Sequence, residues 1–287
     1  MARVDNIIYL NAINKAGDAT RLPVRFVEMT DVHIDVWEKK VQPDIRSFYE
    51  KLSKEVAKAE LKVDEEALNR SPSTTQAVQA KVDSVKNAPN PAQVKKIRYR
   101  ADVDWSWSDN FDYHEINNWL AERNRRVDKS RAVCLVAKKN GNDVPIGMLT
   151  LVPTFVCTVF GLKKKRAFTW YLSDAPREFY RRVLEMDEIQ NIARALLDYT
   201  VQSGIEVNQE ATLVLHADIY GGARLRKYYR DCGLTPIPAG LNPISPGRFF
   251  STRKGYFKLK PEKSGEFIKF FDVHRASQYA GSSPELV

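Results

Sequence analysis

Apolar and polar positions at the start of the chain follow a β-hairpin pattern. Ile7-Ile8-Tyr9-Leu10 is a short apolar run, Asn14-Lys15-Ala16-Gly17-Asp18 is turn chemistry, and Leu22 to Val27 alternates. From Pro43-Asp44 the period changes. Ile45, Phe48, Leu52, Val56, Ala59 and Val63 fall at helical spacing, which predicts a helix over 44–69. Ser71 to Thr75 ends it, and a weaker helical pattern covers 75–86. Asn87-Ala88-Pro89-Asn90-Pro91 cannot continue a helix. That break predicts a hairpin plus helical region over 1–91 and a larger domain over 92–260, with a C-terminal helix and tail over 261–287.

Beyond the break the pattern predicts a strand over 96–105, a helix over 113–127 with Ile116, Trp119 and Leu120 on one face, and a buried strand over 132–137. Asn140-Gly141 forms the core of a tight turn into a strand over 145–155. A basic connection over 161–166 leads to a strand over 167–172. A helix over 187–203 ends at Gly204, a strand covers 211–217, and a helix over 222–232 stops at Gly233. Two more strands fall near 234–237 and 248–259. The order is that of a mixed α/β (α+β) fold, not a doubly wound repeat.

Composition adds exclusions. The chain is 43% hydrophobic and 28% charged with 13 Gly and 14 Pro, which rules out collagen-like, coiled-coil and wholly disordered readings. No apolar run is long enough for a transmembrane helix and the first residues do not form a signal peptide, so no membrane contact and a cytoplasmic location are expected. Three scattered Cys and four scattered His give neither a disulfide framework nor a metal motif. The net charge is +9, unevenly spread. Residues 1–95 carry 15 Lys+Arg against 14 Asp+Glu, leaving 30 against 22 beyond them. Any anionic ligand is therefore expected to meet the later two thirds of the chain.

The stretch Leu225 to Leu234 carries Tyr229 four residues before the Gly233 helix stop, after a buried strand. With the element order, this resembles the GNAT-type N-acetyltransferase superfamily over residues 95–260. The resemblance implies a mostly antiparallel central sheet with flanking helices and an acyl-CoA tunnel, with Tyr229 as the acid that protonates the departing thiolate. It further implies a phosphate cradle at a helix N-terminus. With Leu196-Leu197 matched to the family's paired leucines, the cradle falls on Glu188, Ile189, Gln190, Asn191, Ile192 and Ala193. Ala193 fits, and Asn191 tolerates a left-handed backbone. Glu188 places a negative charge where the family has a cation or an amide, and Ser173 to Asp187 is longer than the family's loop. Arg177, Arg181 and Arg182 in that loop are the candidates to supply the missing charge.

Two groups are candidate general bases. His216 lies on one face of its strand with a suitable imidazole pKa, against the reading of a hydrogen-bonded half-buried histidine. Asp174 follows the third strand of this sheet, against a turn or capping role. A water chain also suffices for such enzymes. Lys163 to Arg166 is a second candidate for phosphate or partner contact, or a solvated run. Phe168, Trp170 and Phe250 read as core. Trp105 and Trp107 share one face, expected to lie under a helix, and Cys232 reads as a small buried helix residue.

The expected function is therefore acyl-CoA-dependent N-acyl transfer, with acetyl-CoA or another acyl-CoA as cofactor and an amine acceptor, the appended N-terminal region pointing to one on a macromolecule. The alternative is a non-catalytic GNAT-like module that binds a protein or nucleic acid. A nucleic-acid-binding protein with aromatic platforms ranks third, because no nucleic-acid motif is present.

Overall fold

The computed structural model describes residues 7–48, 100–159, 162–208, 211–218, 221–237 and 255–276. The expected break at Asn87–Pro91, most of the 44–69 helix, the 75–86 helix and Phe250 lie outside them.

The described residues form a mixed, mostly antiparallel nine-stranded sheet flanked by helices, its strands lying in the order 186–189, 7–14, 19–28, 131–139, 142–159, 162–174, 213–216, 256–259 and 234–236. Strands β1 (Ile7–Asn14) and β2 (Ala19–Glu28) form the expected hairpin. Its turn is set locally: the Asn14 side-chain oxygen accepts the N–H groups of Ala16 and Asp18, and Gly17 takes φ +90°. Helix α1 (Asp31–Val36) follows and continues as a π-helical turn over Trp37–Val41.

The hairpin was expected in a region apart from the 92–260 domain, but it is part of the same sheet. β2 pairs with β3 (Arg131–Lys139) from Val24↔Ala137 to Glu28↔Val133. Ile8, Leu10, Val24 and Phe26 share one core cluster with Leu135, Met148 and Leu196. The physical reason lies in β3. Residues Ala132 to Ala137 are all buried, so the strand needs cover on both faces and a partner on each edge.

The strand expected over 96–105 does not form in its described part, residues 100–105. Ala101–Asp104 is a 3₁₀ turn, and helix α2 (Trp107–Arg123) starts earlier than expected. β3 turns through Asn140 (φ 52°) and Gly141 (φ 78°) into the long β4 (Asn142–Val159), which pairs with β5 (Leu162–Asp174). The basic stretch read as a connection is thus part of β5. A short helix α3 (Arg177–Phe179) and π-turn (Tyr180–Leu184) lead to β6 (Met186–Ile189). The helix expected over 187–203 begins later and ends later: α4 runs Ile192–Asn208, with Gly204 inside it. β7 (Leu213–His216), α5 (Gly222–Asp231), β8 (Leu234–Pro236), β9 (Tyr256–Leu259) and α6 (Pro261–Ala276) complete the described elements.

Helix α4 lies between two cores. Leu196 faces the cluster under β1–β4, while Leu197 and Val201 face a second cluster formed by β7, β9 and α5. Gly147 of β4 lets the helix approach, since a Cβ there would sit 3.0 Å from Leu196 Cδ1. No described helix is long and apolar enough to cross a membrane.

Candidate active site

Strands β5 and β7 pair in parallel, but only from Ala167↔Leu213 to Thr169↔Leu215. β5 then continues to Asp174 without β7, so the sheet is open beyond that rung. In a parallel crossover the intervening helix returns antiparallel, which puts its N-terminus at the strands' carboxyl ends. The first turns of α4 and α5 therefore meet there, with N–H groups that have no partner within the helix. A cavity of about 490 Å³ occupies the gap and is lined by residues of both strands, by Ala193 and by Gly221. A side chain at Gly221 would collide with Leu225 at 2.4 Å, so glycine is required at the start of α5.

Tyr229 is buried in the wall on α5, with its ring 5.6 Å from Phe257. Burial raises its pKa, and Cys232, Asp218, Asp102 and Asp174 add to the shift. It is a phenol that keeps its proton. The adjacent Tyr228 also lines the cavity. It shares a hydrogen bond with the Cys232 thiol. His216 ends β7 at the cavity with its ring edge-on to Tyr256 at 4.7 Å.

Asp174 ends β5 and belongs to a network that the sequence pattern did not show. Arg100 grips Asp102 through Nε (2.9 Å) and Nη2 (2.6 Å), and donates to the Asp174 carbonyl (2.6 Å) and Oδ1 (3.1 Å). Ser173 Oγ donates to Asp102. Burial opposes the charge on Asp102, yet Arg100 and Ser173 hold its pKa below the ordinary carboxylate value. Burial is also the main force on Asp174, reinforced by Asp102 and only partly offset by Arg100, so its pKa is raised. Its side chain remains 42% exposed and can be reached from the cavity. Trp105 and Tyr180 complete this wall. Trp107 is fully in the core, edge-on to both Trp105 and Trp37.

The expected cradle is split by the structure. Glu188 and Ile189 belong to β6, because β6 pairs with β1 at Ile13↔Glu188 and Ala12↔Ile189. They line the cavity but do not open the helix. The Gln190 N–H donates to the Asn11 carbonyl, and its side chain donates to Glu188 Oε1 at 3.0 Å. Asn191 takes the left-handed conformation, φ 64°, turning the chain into α4. Ile192 is core, which leaves Ala193 as the cradle residue of the first turn at the cavity.

Of the three loop arginines, only Arg177 lines the cavity, with Nε donating to the Asp187 carbonyl at 2.7 Å. Arg181 pairs with Asp187 at 3.1 Å. Arg182 is drawn away to Asp44 (2.6 Å) and the Lys40 carbonyl. Arg100 and, on α5, Arg224 are further cations at the cavity that the sequence pattern does not mark. Lys165 pairs with Asp128 and Arg166 with the Cys157 carbonyl, so neither serves the cavity. No metal-binding cluster occurs among the described residues. Comparison with models of known families, with curated proteins and with solved structures finds no match.

Proposed function

We propose that this protein is an acyl-CoA-dependent N-acyltransferase, with acetyl-CoA as the expected donor. The observation that carries the reading is the parallel β5/β7 pair that parts after Thr169 and Leu215, leaving a cavity between the first turn of α4 and Tyr229. The residues present suit an acyl-CoA. The α4 first turn, Arg177 and Arg224 provide donors and positive charge for a pyrophosphate. The small side chain of Ala193 allows close approach, and the β5–β7 gap can take an extended pantetheine arm.

An acyl-CoA supplies a thioester whose carbonyl is open to attack by a neutral amine. Asp174, its pKa raised by burial, takes the proton of the incoming ammonium, and Arg100 fixes its position. His216 is the second candidate for this proton. With an acyl-CoA held here, backbone N–H groups would polarise its carbonyl, and Tyr229 would supply the proton that the departing thiolate takes up. The acceptor enters beside Trp105 and Tyr180. Buried, free cysteines at 134, 157 and 232 agree with a reducing, cytoplasmic setting.

Glu188 supports a second reading. A carboxylate beside the α4 first turn repels a phosphate, as in a non-catalytic module of the same architecture that binds a protein or nucleic acid. Thiol release from acetyl-CoA in the presence of a panel of primary amines separates the two. Turnover that requires both substrates supports the transferase. Release equal to the enzyme-free rate with every amine favours the binding module.

A further inference from the structure

Ile116, Trp119 and Leu120 share one face of helix α2, but the helix docks through the other, by Trp107 and Phe111 at its start and by polar side chains beyond them. The N–H of Ser130 donates to Asn118 Oδ1 (2.8 Å), Asn117 Nδ2 donates to the Asp128 carbonyl (2.9 Å), and His114 Nδ1 meets Ser130 Oγ at 2.8 Å. Only Trp107 and Asn110, at its start, are fully buried.

The opposite face presents Tyr113 (59% exposed), Ile116 (55%), Trp119 (53%) and Leu120 (41%). These are half of the eight exposed large hydrophobics among the described residues, and they fall within about a third of a turn on one helix. Single exposed apolar residues need no explanation, whereas a contiguous stripe marks an interaction surface.

The charges along this stripe are ordered. Asp109 and Asp112 lie on it at the N-terminal end and Arg123 at the C-terminal end, with Arg125 and Arg126 just beyond. Arg123 sits 4.0 Å over the Trp119 ring and donates to its carbonyl, which holds both side chains in place. The helix dipole accounts for acids first and bases last. It does not account for their sharing the exposed apolar face.

We propose that a second copy of this chain covers the stripe, the two α2 helices packing antiparallel about a two-fold axis. A two-fold interface needs a surface complementary to itself. This one is: an axis passing between Ile116 and Trp119 puts Ile116 of one copy against Trp119 of the other. The same register brings Asp112 of each copy to Arg123 of the other, at both ends of the contact. Acid meets base and the apolar centre is closed. One helix pair is smaller than a standard interface of about 800 Å² per partner, so a reversible, concentration-dependent dimer is expected.

Sedimentation equilibrium of the full chain, 32.8 kDa, tests this across about 1–100 μM. The wild type is expected to approach twice the chain mass, and Trp119→Glu is expected to shift the dissociation constant at least tenfold towards monomer. Asp112→Arg and Arg123→Asp each weaken the dimer, and the two together restore it, since the swap re-forms both ion pairs. All three positions are at the surface, so unchanged thermal melts identify loss of association rather than of fold. A wild type that stays monomeric at about 100 μM overturns the proposal, as does a dimer indifferent to Trp119→Glu. A monomer that binds anionic vesicles through the stripe also overturns it, in favour of a membrane surface.

Discussion

Thr169 of β5 stands opposite Leu215 of β7, and this pair is the last rung of the only parallel ladder among the described residues. Beyond it β5 carries Leu172 and Asp174 along one side of an open gap, and β7 carries His216 on the other. A sheet that stayed zipped here would have no cavity. The candidate chemistry of this protein therefore depends on where one ladder stops.

Tyr229→Phe is expected to lower acyl transfer roughly 10- to 1,000-fold, the range of general-acid losses, with little change in acyl-CoA affinity. The change removes one hydroxyl and little packing. Tyr228→Phe is not a clean comparison, because Tyr228 also reaches the cavity and hydrogen-bonds Cys232. Tyr113→Phe, on the exposed face of α2, is the appropriate control. Steady-state rates for the variants check this, and equal rates for Tyr229→Phe and wild type would remove the hydroxyl from the mechanism.

The elements legible in the sequence are those fixed by neighbouring residues. The β1–β2 turn is written in Asn14 and Gly17, the β3–β4 turn in Asn140-Gly141, and the end of α5 in Gly233 at φ 85°. Elements set by distant partners were not legible. Glu188 is in a strand because Ile13 lies opposite it, and Arg182 leaves the cavity because Asp44 attracts it. Arg100 and Asp102 alternate like strand residues, and only folding brings Asp174 to them. The polar face of α2 turns inward because Ser130 and Asp128 supply its partners. The site candidates Tyr229, His216, Asp174, Arg177, Glu188 and Ala193 all reach the cavity. Arg181 and Arg182 do not line it, and Gln190 lies beside Asn11 and Thr20 in a separate hollow.

Removing the hairpin should unfold the larger domain. A chain beginning at Gln93 would lose the partner of β3 and strip Ile8, Leu10, Val24 and Phe26 from the core. It is expected to show no cooperative melt. In the full chain, Phe26→Ala removes a ring 4.4 Å from Tyr199 and should cost about 3–5 kcal/mol in urea titrations. A truncated chain melting like the full one would show that the sheet is complete without β1 and β2.

Arg100→Leu should destabilise the fold by about 3–5 kcal/mol, because it leaves the buried Asp102 charge without its partner. Adding Asp102→Leu should return much of that loss, since the buried charge goes with it. Denaturant midpoints for the two single variants and the double variant close this cycle. Strictly additive losses would mean that the pair is not coupled.

Asp198 introduces a pH dependence. Burial between α4 and α6 pushes its pKa up to about 6, although Arg275 pulls the other way. The folded chain then holds this proton more tightly than the unfolded chain, whose aspartate titrates near its ordinary value of about 4. The stability from this group is complete below that value and falls as pH rises towards about 6. The loss is at most on the order of 3 kcal/mol. Asp198→Asn should flatten that part of the curve relative to wild type, as read from denaturant titrations at a series of pH values. Parallel curves would mean that Asp198 is ionised throughout.

Titration of acetyl-CoA into the full chain, followed by calorimetry, tests the central claim most directly. The account predicts one site per chain with a dissociation constant between about 1 μM and 1 mM, the usual span for enzyme substrates. It also predicts that Ala193→Asp, which puts a carboxylate at the first turn of α4, removes the binding heat while leaving the thermal melt unchanged. No heat and no thermal shift with the wild-type protein, or binding that survives Ala193→Asp intact, would contradict it.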